Sequence, residues 1–108
     1  MNWIQKLKSC FSNDAVYYTR HARTEMEIEE TGRIYESEVH EAINKGEVIR
    51  EYPQDMPYPS ALILGETKKG RPLHIVCAYS ETDVIAFVIT VYQPLPHIWI
   101  DYRERRTQ

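Results

Sequence analysis

Apolar and polar positions recur with two different periods along this chain, helical in its first half and strand-like in its second. Near the N-terminus, apolar residues recur at the spacing of one helix face, which predicts a helix within residues 1–13: Trp3, Ile4, Leu7 and Phe11. The same period returns after residue 20, where Gly32 and Gly46 are placed to end two further helices. Each helix is amphipathic, so we expect one face of each to pack on a core.

After Gly46 the period changes to two, which is typical of strands with one buried face. This pattern predicts strands at residues 47–52, 61–67, 72–79 and 84–92, and residues 15–18 form a further short candidate. Prolines interrupt the connection over Pro53–Pro59, whereas Lys68-Lys69-Gly70 predicts a hairpin turn. We therefore predict an α+β fold in one domain, residues 1–108, with N-terminal helices packed on one face of a four- to five-stranded antiparallel sheet. The last residues, 97–108, form an aromatic and basic tail with room for one helical turn.

Strand parity predicts which residues of the last two strands share a face. Bulky residues occupy alternate positions and are expected to face the core together: Leu73, Ile75, Cys77 and Tyr79, then Ile85, Phe87, Ile89 and Val91. A slip of one residue would divide these sets between the two faces. The opposite face then carries small residues among polar ones, namely His74, Val76 and Ala78 beside Ala86, Val88, Thr90 and Tyr92. Arg71 and the Lys68-Lys69 turn lie at the edge of this polar floor.

The charge balance gives no sign of a general attraction to nucleic acid. The chain has 13 basic and 16 acidic residues, for a net charge of −3. No positive field therefore surrounds the whole molecule. Glutamates dominate the first half, and the helix faces that carry them are expected to be solvated. The tail is locally basic, with Arg105 and Arg106 near its end.

The cysteines and the apolar runs indicate a cytoplasmic protein. Cys10 and Cys77 are far apart in the sequence and make a poor disulfide framework, which fits a reducing compartment. The longest apolar run, residues 84–91, is far too short to span a membrane, and polar residues interrupt the N-terminal segment. We expect no contact with a membrane.

His74 is the strongest single candidate for chemistry, because an apolar strand rarely carries a histidine without a reason. Such a residue is more often a hydrogen-bonded structural group than a catalyst, so both interpretations stay open. No pair of residues shows metal-ligand spacing, and neither a glycine-rich phosphate loop nor a nucleophile elbow is present. The sequence accordingly predicts no metal and no cofactor.

Five segments together form a more specific pattern: T-R-H-A-R-x-x-M at Thr19–Met26, E-V-x-E-A-I-x-K-G-E-V-I-x-E-Y at Glu38–Tyr52, L-I-L-G at Leu62–Gly65, G-R-P-L-H-I-V at Gly70–Val76 and I-T-V-Y-x-P at Ile89–Pro94. In this combination the chain resembles a widespread bacterial family of small domains of unknown function, which is itself similar to the RelE/BrnT-like toxins. The resemblance implies the toxin of a type II toxin–antitoxin pair, with RNA as target and a zinc-finger antitoxin of the MqsA or YgiT kind as partner. The link at residues 29–35 is longer and more acidic than in the family, and the negative net charge is a second departure.

The resemblance suggests a metal-independent endoribonuclease, in which the ribose 2′-hydroxyl attacks its own phosphate and leaves a cyclic phosphate. His74 would then transfer a proton near neutral pH, Arg71 would stabilise phosphate charge, and Tyr92 would orient the sugar or stack on a base. The residues expected to hold RNA are Lys68, Lys69, Thr90, Arg105 and Arg106. Two alternatives stay open: a non-catalytic module that binds protein or RNA, and a homodimeric structural protein.

Overall fold

The computed structural model describes residues 1–107. Its helices are α1 Trp3–Ser12, α2 Arg20–Ile28 and α3 Glu36–Asn44. Its strands are β1 Val16–Tyr18, β2 Glu47–Tyr52, β3 Ser60–Glu66, β4 Pro72–Ser80, β5 Ile85–Tyr92, β6 Trp99–Ile100 and β7 Glu104–Arg105. From α1 to β5, the order of helices and strands is the one that the sequence predicts.

Side chains at the helix N-termini explain where α2 and α3 begin. The Thr19 hydroxyl accepts a hydrogen bond from the Ala22 N–H, at 3.1 Å, and so satisfies one donor of the first turn of α2. At α3 the Glu38 carboxylate accepts from the N–H of Tyr35, at 3.0 Å, in a capping-box arrangement. All three helices bury their apolar stripe against the same face of the sheet, including Leu7, Met26 and Ile43.

The sheet has the strand order β1-β5-β4-β3-β2. Strands β2 to β5 form an antiparallel meander, whereas β1 pairs in parallel with β5. The predicted α+β fold with helices on one face is therefore confirmed, and the sheet is mixed because of this one edge strand. A strand of three residues carries too little sequence pattern to reveal its direction.

Helix α3 lies unusually close to the sheet at Gly65 of β3. A Cβ atom built on Gly65 would overlap the backbone carbonyl of Ala42 in α3. Only glycine permits this approach, since every other residue would force the helix away from the strand. The glycine of the L-I-L-G segment thus sets the distance between the helix layer and the sheet.

A β-bulge in β5 overturns part of the predicted division into faces. Val76 pairs with Thr90 and Cys77 with Val88, so Ile89 is an extra residue between the two pairs. The bulge shifts the alternation, and the core residues of β5 are Ala86, Val88 and Val91. The predicted core set of Ile85, Phe87, Ile89 and Val91 is wrong except for Val91, and Ala86 and Val88 do not belong to the polar floor. In β4 the predicted core set, Leu73, Ile75, Cys77 and Tyr79, is confirmed.

The tail forms a small hairpin, β6–β7, instead of a helical turn. It folds back over the sheet face that points away from the helices, where the Trp99 ring packs edge-on against His74 at 4.4 Å between centroids. Asp101 and Tyr102 turn the hairpin with φ of 52° and 61°, values that favour glycine and strain larger residues. The sequence pattern missed this hairpin because its two strands are only two residues long each.

Both cysteines, Cys10 and Cys77, are free thiols buried in the core. Burial raises the pKa of each thiol, which keeps it protonated. Across residues 1–107, none of the helices combines the length and the apolar character needed to traverse a bilayer.

Candidate functional site

The face of the sheet that points away from the helices is called here the outer face. Strand pairing arranges its residues in three rows across the sheet. These rows are Tyr17, Phe87, Ala78, Ser60 and Tyr52, then Thr90, Val76, Leu62 and Arg50, and finally Tyr92, His74, Leu64 and Glu47. The tail hairpin covers the third row. In the first two rows the central residues Ser60, Ala78 and Leu62 are also buried, whereas Tyr17 and Arg50 at the edges of the sheet are exposed.

His74 lies under the tail and is fully buried, with both ring nitrogens hydrogen-bonded. Its Nε2 is 2.6 Å from the backbone carbonyl oxygen of Tyr102, and its Nδ1 is 2.9 Å from the hydroxyl of Tyr92. Because a carbonyl can only accept, Nε2 carries the proton and donates it, and Nδ1 accepts from the Tyr92 O–H. The ring is thereby held in one neutral tautomer.

The electrostatics of this pair favour the neutral forms of both groups. Burial lowers the pKa of His74 below its ordinary value of 6.5, and the bond to the Tyr102 carbonyl offsets part of that effect. Burial likewise raises the pKa of Tyr92 above 10.0. His74 and Tyr92 therefore form a closed, uncharged polar pair, as the structural interpretation of this histidine expects.

Arg71 is also committed to internal contacts, at the edge of the sheet. Its Nε donates to Gln93 at 2.7 Å, and its Nη1 lies 3.2 Å from both carboxylate oxygens of Glu38. The remaining N–H groups reach the loop between α2 and α3, at the Thr31 hydroxyl and the carbonyls of Gly32 and Arg33. The guanidinium fork thus fastens that loop to β4 and to the end of β5.

The other predicted RNA contacts are divided among three places. Thr90 is half-buried in the second row of the outer face, beside Val76. Lys68 and Lys69 are exposed in the turn between β3 and β4. Arg105 and Arg106 are exposed in and after β7, and the Nε of Arg106 donates to the carbonyl of Pro96 at 3.1 Å. The structure brings His74, Tyr92 and Thr90 together on one face, but it does not bring Arg71 into contact with His74.

The outer face also carries an aromatic cluster that the sequence interpretation did not single out. The rings of Tyr58 and Phe87 are stacked with centroids 5.3 Å apart, and Tyr17 meets Phe87 edge-on at 6.0 Å. Tyr17 is 58% exposed, and the other two rings are half-buried. The bulge at Ile89 turns Phe87 outward, and no sequence signal marks that bulge. We call Tyr17, Phe87 and Tyr58 the aromatic platform.

Within residues 1–107, no group of three or more His, Cys, Asp or Glu side chains is placed to share a metal ion. The exposed His21 instead lies 3.4 Å from Glu25, four residues further along α2.

The site and fold define a small α+β domain with a closed polar pair and an aromatic cluster on one face of its sheet. The family described as "Domain of unknown function (DUF4258)" matches residues 18–93, and the chain belongs to this family. Comparison with curated proteins found no match, and comparison with solved structures found none either. The matched residues begin at the end of β1 and finish just after β5, so α1 and the tail hairpin lie outside them.

Proposed function

We propose that this protein binds single-stranded RNA at the aromatic platform of its outer sheet face. The observation that carries the proposal is the aromatic platform, in which Phe87 contacts both Tyr17 and Tyr58 and the Tyr17 ring is exposed to solvent. Bases stack on such rings with about 1–3 kcal/mol per base, and they do so without strong sequence preference. Tyr17 is 58% exposed, so a base has access to this ring.

Basic and hydroxyl groups beside the platform suit a nucleic-acid backbone. Arg50 and Thr90 lie in the adjoining row of the outer face. Arg105 lies near Tyr92, and its positive charge partly offsets the increase in the Tyr92 pKa that burial causes. The resemblance to RNA-cutting toxins supports RNA as the ligand, with an antitoxin protein as a competitor for the same surface.

Fluorescence anisotropy with a labelled single-stranded RNA of about 12 nucleotides tests this proposal. Loss of one stacking ring in Phe87→Ala or Tyr17→Ala should weaken binding about tenfold. Ile28→Ala is the matched control, because Ile28 is a 71% exposed apolar residue of α2 away from the platform. Equal affinities for wild type and both platform variants, with circular dichroism showing intact folding, would refute binding at this surface.

A metal-independent endoribonuclease of the toxin type is the second candidate. The observation in its favour is the contact between His74 and Tyr92, which puts a proton acceptor beside a hydroxyl on the same face as Thr90. A substrate reaches His74 only when the tail hairpin moves away, because Trp99 and the carbonyl of Tyr102 close the site. Binding without cleavage is therefore the function that the closed arrangement supports better.

Controlled expression followed by mapping of cellular RNA 5′-ends separates the two candidates. A ribonuclease should arrest growth and create new ends that disappear in His74→Gln, and Trp99→Ala should increase their number by loosening the cover. Absence of new ends in both wild type and Trp99→Ala would leave RNA binding as the function. New ends that persist in His74→Gln would show that the chemistry does not use this histidine.

A further inference from the structure

A second surface, on the helix side of the sheet, has a charge pattern that the aromatic platform does not use. A cleft of about 460 Å³ separates the start of α3 and the loop before it from the turn between β3 and β4. Its basic side chains are Arg33 from the loop, Lys68 and Lys69 from the turn, and Arg71 at its base. We call this the hairpin cleft.

Three of these cations are free to meet a ligand. Among residues 1–107, the ion pairs of the protein do not involve Arg33, Lys68 or Lys69. Their side chains are exposed, and the Arg33 guanidinium lies 5.2 Å from the centre of the Tyr35 ring. A cation over an aromatic face keeps its N–H edge available for hydrogen bonds to an anion.

The two acidic side chains in the cleft already have partners. Glu38 accepts hydrogen bonds from Arg71 and from the N–H of Tyr35. Glu41 accepts from the backbone N–H of Lys68 at 2.9 Å, which fixes the turn against α3. With four basic and two acidic side chains, the cleft has a surplus of two positive charges, in a chain whose net charge is −3.

The walls of the cleft are held in place by contacts within the protein. Arg71 binds the carbonyls of Gly32 and Arg33 and so fixes the loop that carries Arg33. On the opposite wall, the bond from Lys68 to Glu41 holds the turn that carries Lys69. A site with fixed walls loses less conformational freedom on binding, which raises its affinity for a small ligand.

We propose that the hairpin cleft binds a phosphomonoester, carried either by the 5′ end of an RNA strand or by a free nucleotide. A phosphomonoester has about 1.5 to 2 negative charges near neutral pH, which matches the surplus of the cleft. Arg33 would contact its oxygens in a bidentate manner, and Lys68 and Lys69 would neutralise the remaining charge. The exposed ring of Tyr35 offers a surface for the attached nucleoside.

This inference does not depend on RNA binding at the aromatic platform, since the cleft and the platform share no residue. The test uses three probes on the wild-type chain: uridine 5′-monophosphate, and one single-stranded RNA prepared with a 5′-phosphate or a 5′-hydroxyl. We expect isothermal titration to show about tenfold tighter binding of the 5′-phosphorylated RNA, binding of the free nucleotide, or both. If the protein prefers the 5′-phosphorylated RNA but does not bind the nucleotide, the ligand is the 5′ end of an RNA strand. If it binds the nucleotide but does not distinguish the two RNAs, the ligand is a free nucleotide.

Charge reversal then locates the site. Lys69→Glu should remove the phosphate-dependent binding, whereas Lys8→Glu, which reverses an exposed lysine of α1, should retain it. Phe87→Ala should leave nucleotide binding unchanged, because Phe87 is not part of the cleft. This variant therefore tests RNA binding at the platform separately from phosphate binding in the cleft. No nucleotide binding combined with equal binding of the two RNAs would overturn the proposal. Phosphate-dependent binding that survives in both Lys69→Glu and Arg33→Glu would overturn it as well.

Discussion

At the residue scale, the two polar side chains that stand out in the sequence, His74 and Arg71, are both engaged within the protein. His74 joins Tyr92 to the backbone of the tail, and Arg71 joins β4 to the loop before α3. In each case the side chain donates hydrogen bonds to backbone carbonyls of another segment. Their first role is therefore to hold irregular segments against the sheet.

The buried His74 makes stability depend on pH. Its pKa in the folded protein lies below the ordinary 6.5, so the unfolded chain takes up a proton first as the pH falls. Its contribution is present in full above about pH 6.5 and is lost progressively as the pH falls towards the lowered value. Urea unfolding measures the free energy of unfolding at about pH 7.5 and at about pH 5. Between these two pH values it should fall more in the wild type than in His74→Gln, because glutamine does not titrate. The same drop in both proteins would contradict this assignment, because His21, His40 and His97 are present in each.

Arg71→Lys should loosen the loop before α3 with little effect on the core. Lysine keeps the charge but has one ammonium group, so it cannot reach Gln93, Glu38 and the loop carbonyls together. We expect a loss of about 1–3 kcal/mol in the free energy of unfolding. Hydrogen exchange should accelerate at residues 31–35 and stay slow in β4 and β5. Unchanged exchange in that loop would show that the other contacts of the loop suffice to hold it.

At the scale of secondary structure elements, two single-residue features control how the layers fit. The extra residue Ile89 in β5 exchanges the faces of Ile85 and Phe87 with those of Ala86 and Val88. Small side chains consequently face the helices at that end of the strand, and α1 and α2 pack closely there. Gly65 has the same effect on β3, where it lets α3 approach the sheet.

Gly65→Ala should destabilise the fold by about 1–3 kcal/mol, since the added methyl group would overlap the Ala42 carbonyl and displace α3. Thermal and urea unfolding measure the effect. Gly70→Asn is a suitable control: this turn glycine has a φ of 84° with open space around it, and asparagine tolerates that conformation. If Gly65→Ala lowers the free energy of unfolding no more than Gly70→Asn does, the helix layer adjusts freely to the added methyl group.

At the scale of the whole molecule, the basic side chains are unevenly distributed over the surface. The chain has a net charge of −3, yet unpaired basic groups gather at the hairpin cleft and in the tail. Because the electrostatic attraction is local, we expect the RNA affinity to depend only modestly on salt. Stacking on the aromatic platform should supply a contribution to affinity that salt does not weaken.

Anisotropy titrations across a range of salt concentrations check this expectation. With about three phosphates neutralised, the logarithm of the binding constant should fall with a slope of about −2 against the logarithm of salt concentration. Arg105→Glu should make the slope shallower by about 0.7, while Phe87→Ala should lower affinity without changing the slope. A steep slope, of the kind given by many phosphate contacts, would contradict stacking as the main source of affinity.

Most boundaries of the larger elements could be predicted from the sequence because they depend on local signals. The end of α2 is an exception, since the helix stops at Ile28, four residues before the predicted terminator Gly32. Thr19 caps a helix through its own hydroxyl, Lys68-Lys69-Gly70 forms its turn locally, and β4 alternates regularly between its faces. The predicted faces of β5 were wrong because the bulge at Ile89 shifts the alternation of its side chains. No characteristic residue type marks such a bulge in the sequence. Of the site, His74, Thr90 and Tyr92 were placed together correctly, but the platform of Tyr17, Phe87 and Tyr58 depends on that bulge and on a parallel edge strand.

The sequence by itself determined the α+β class, the order of helices and strands up to β5, and the position of His74, Thr90 and Tyr92 on the face away from the helices. These properties follow from hydrophobic period, capping and turn residues, which act over a few neighbouring positions. Only the tertiary structure decided that His74 is closed by the tail and that Arg71 serves the loop before α3. The backbone carbonyls that bind these two side chains lie 28 to 39 residues away in the sequence, and contacts at such separations depend on packing that no local pattern encodes.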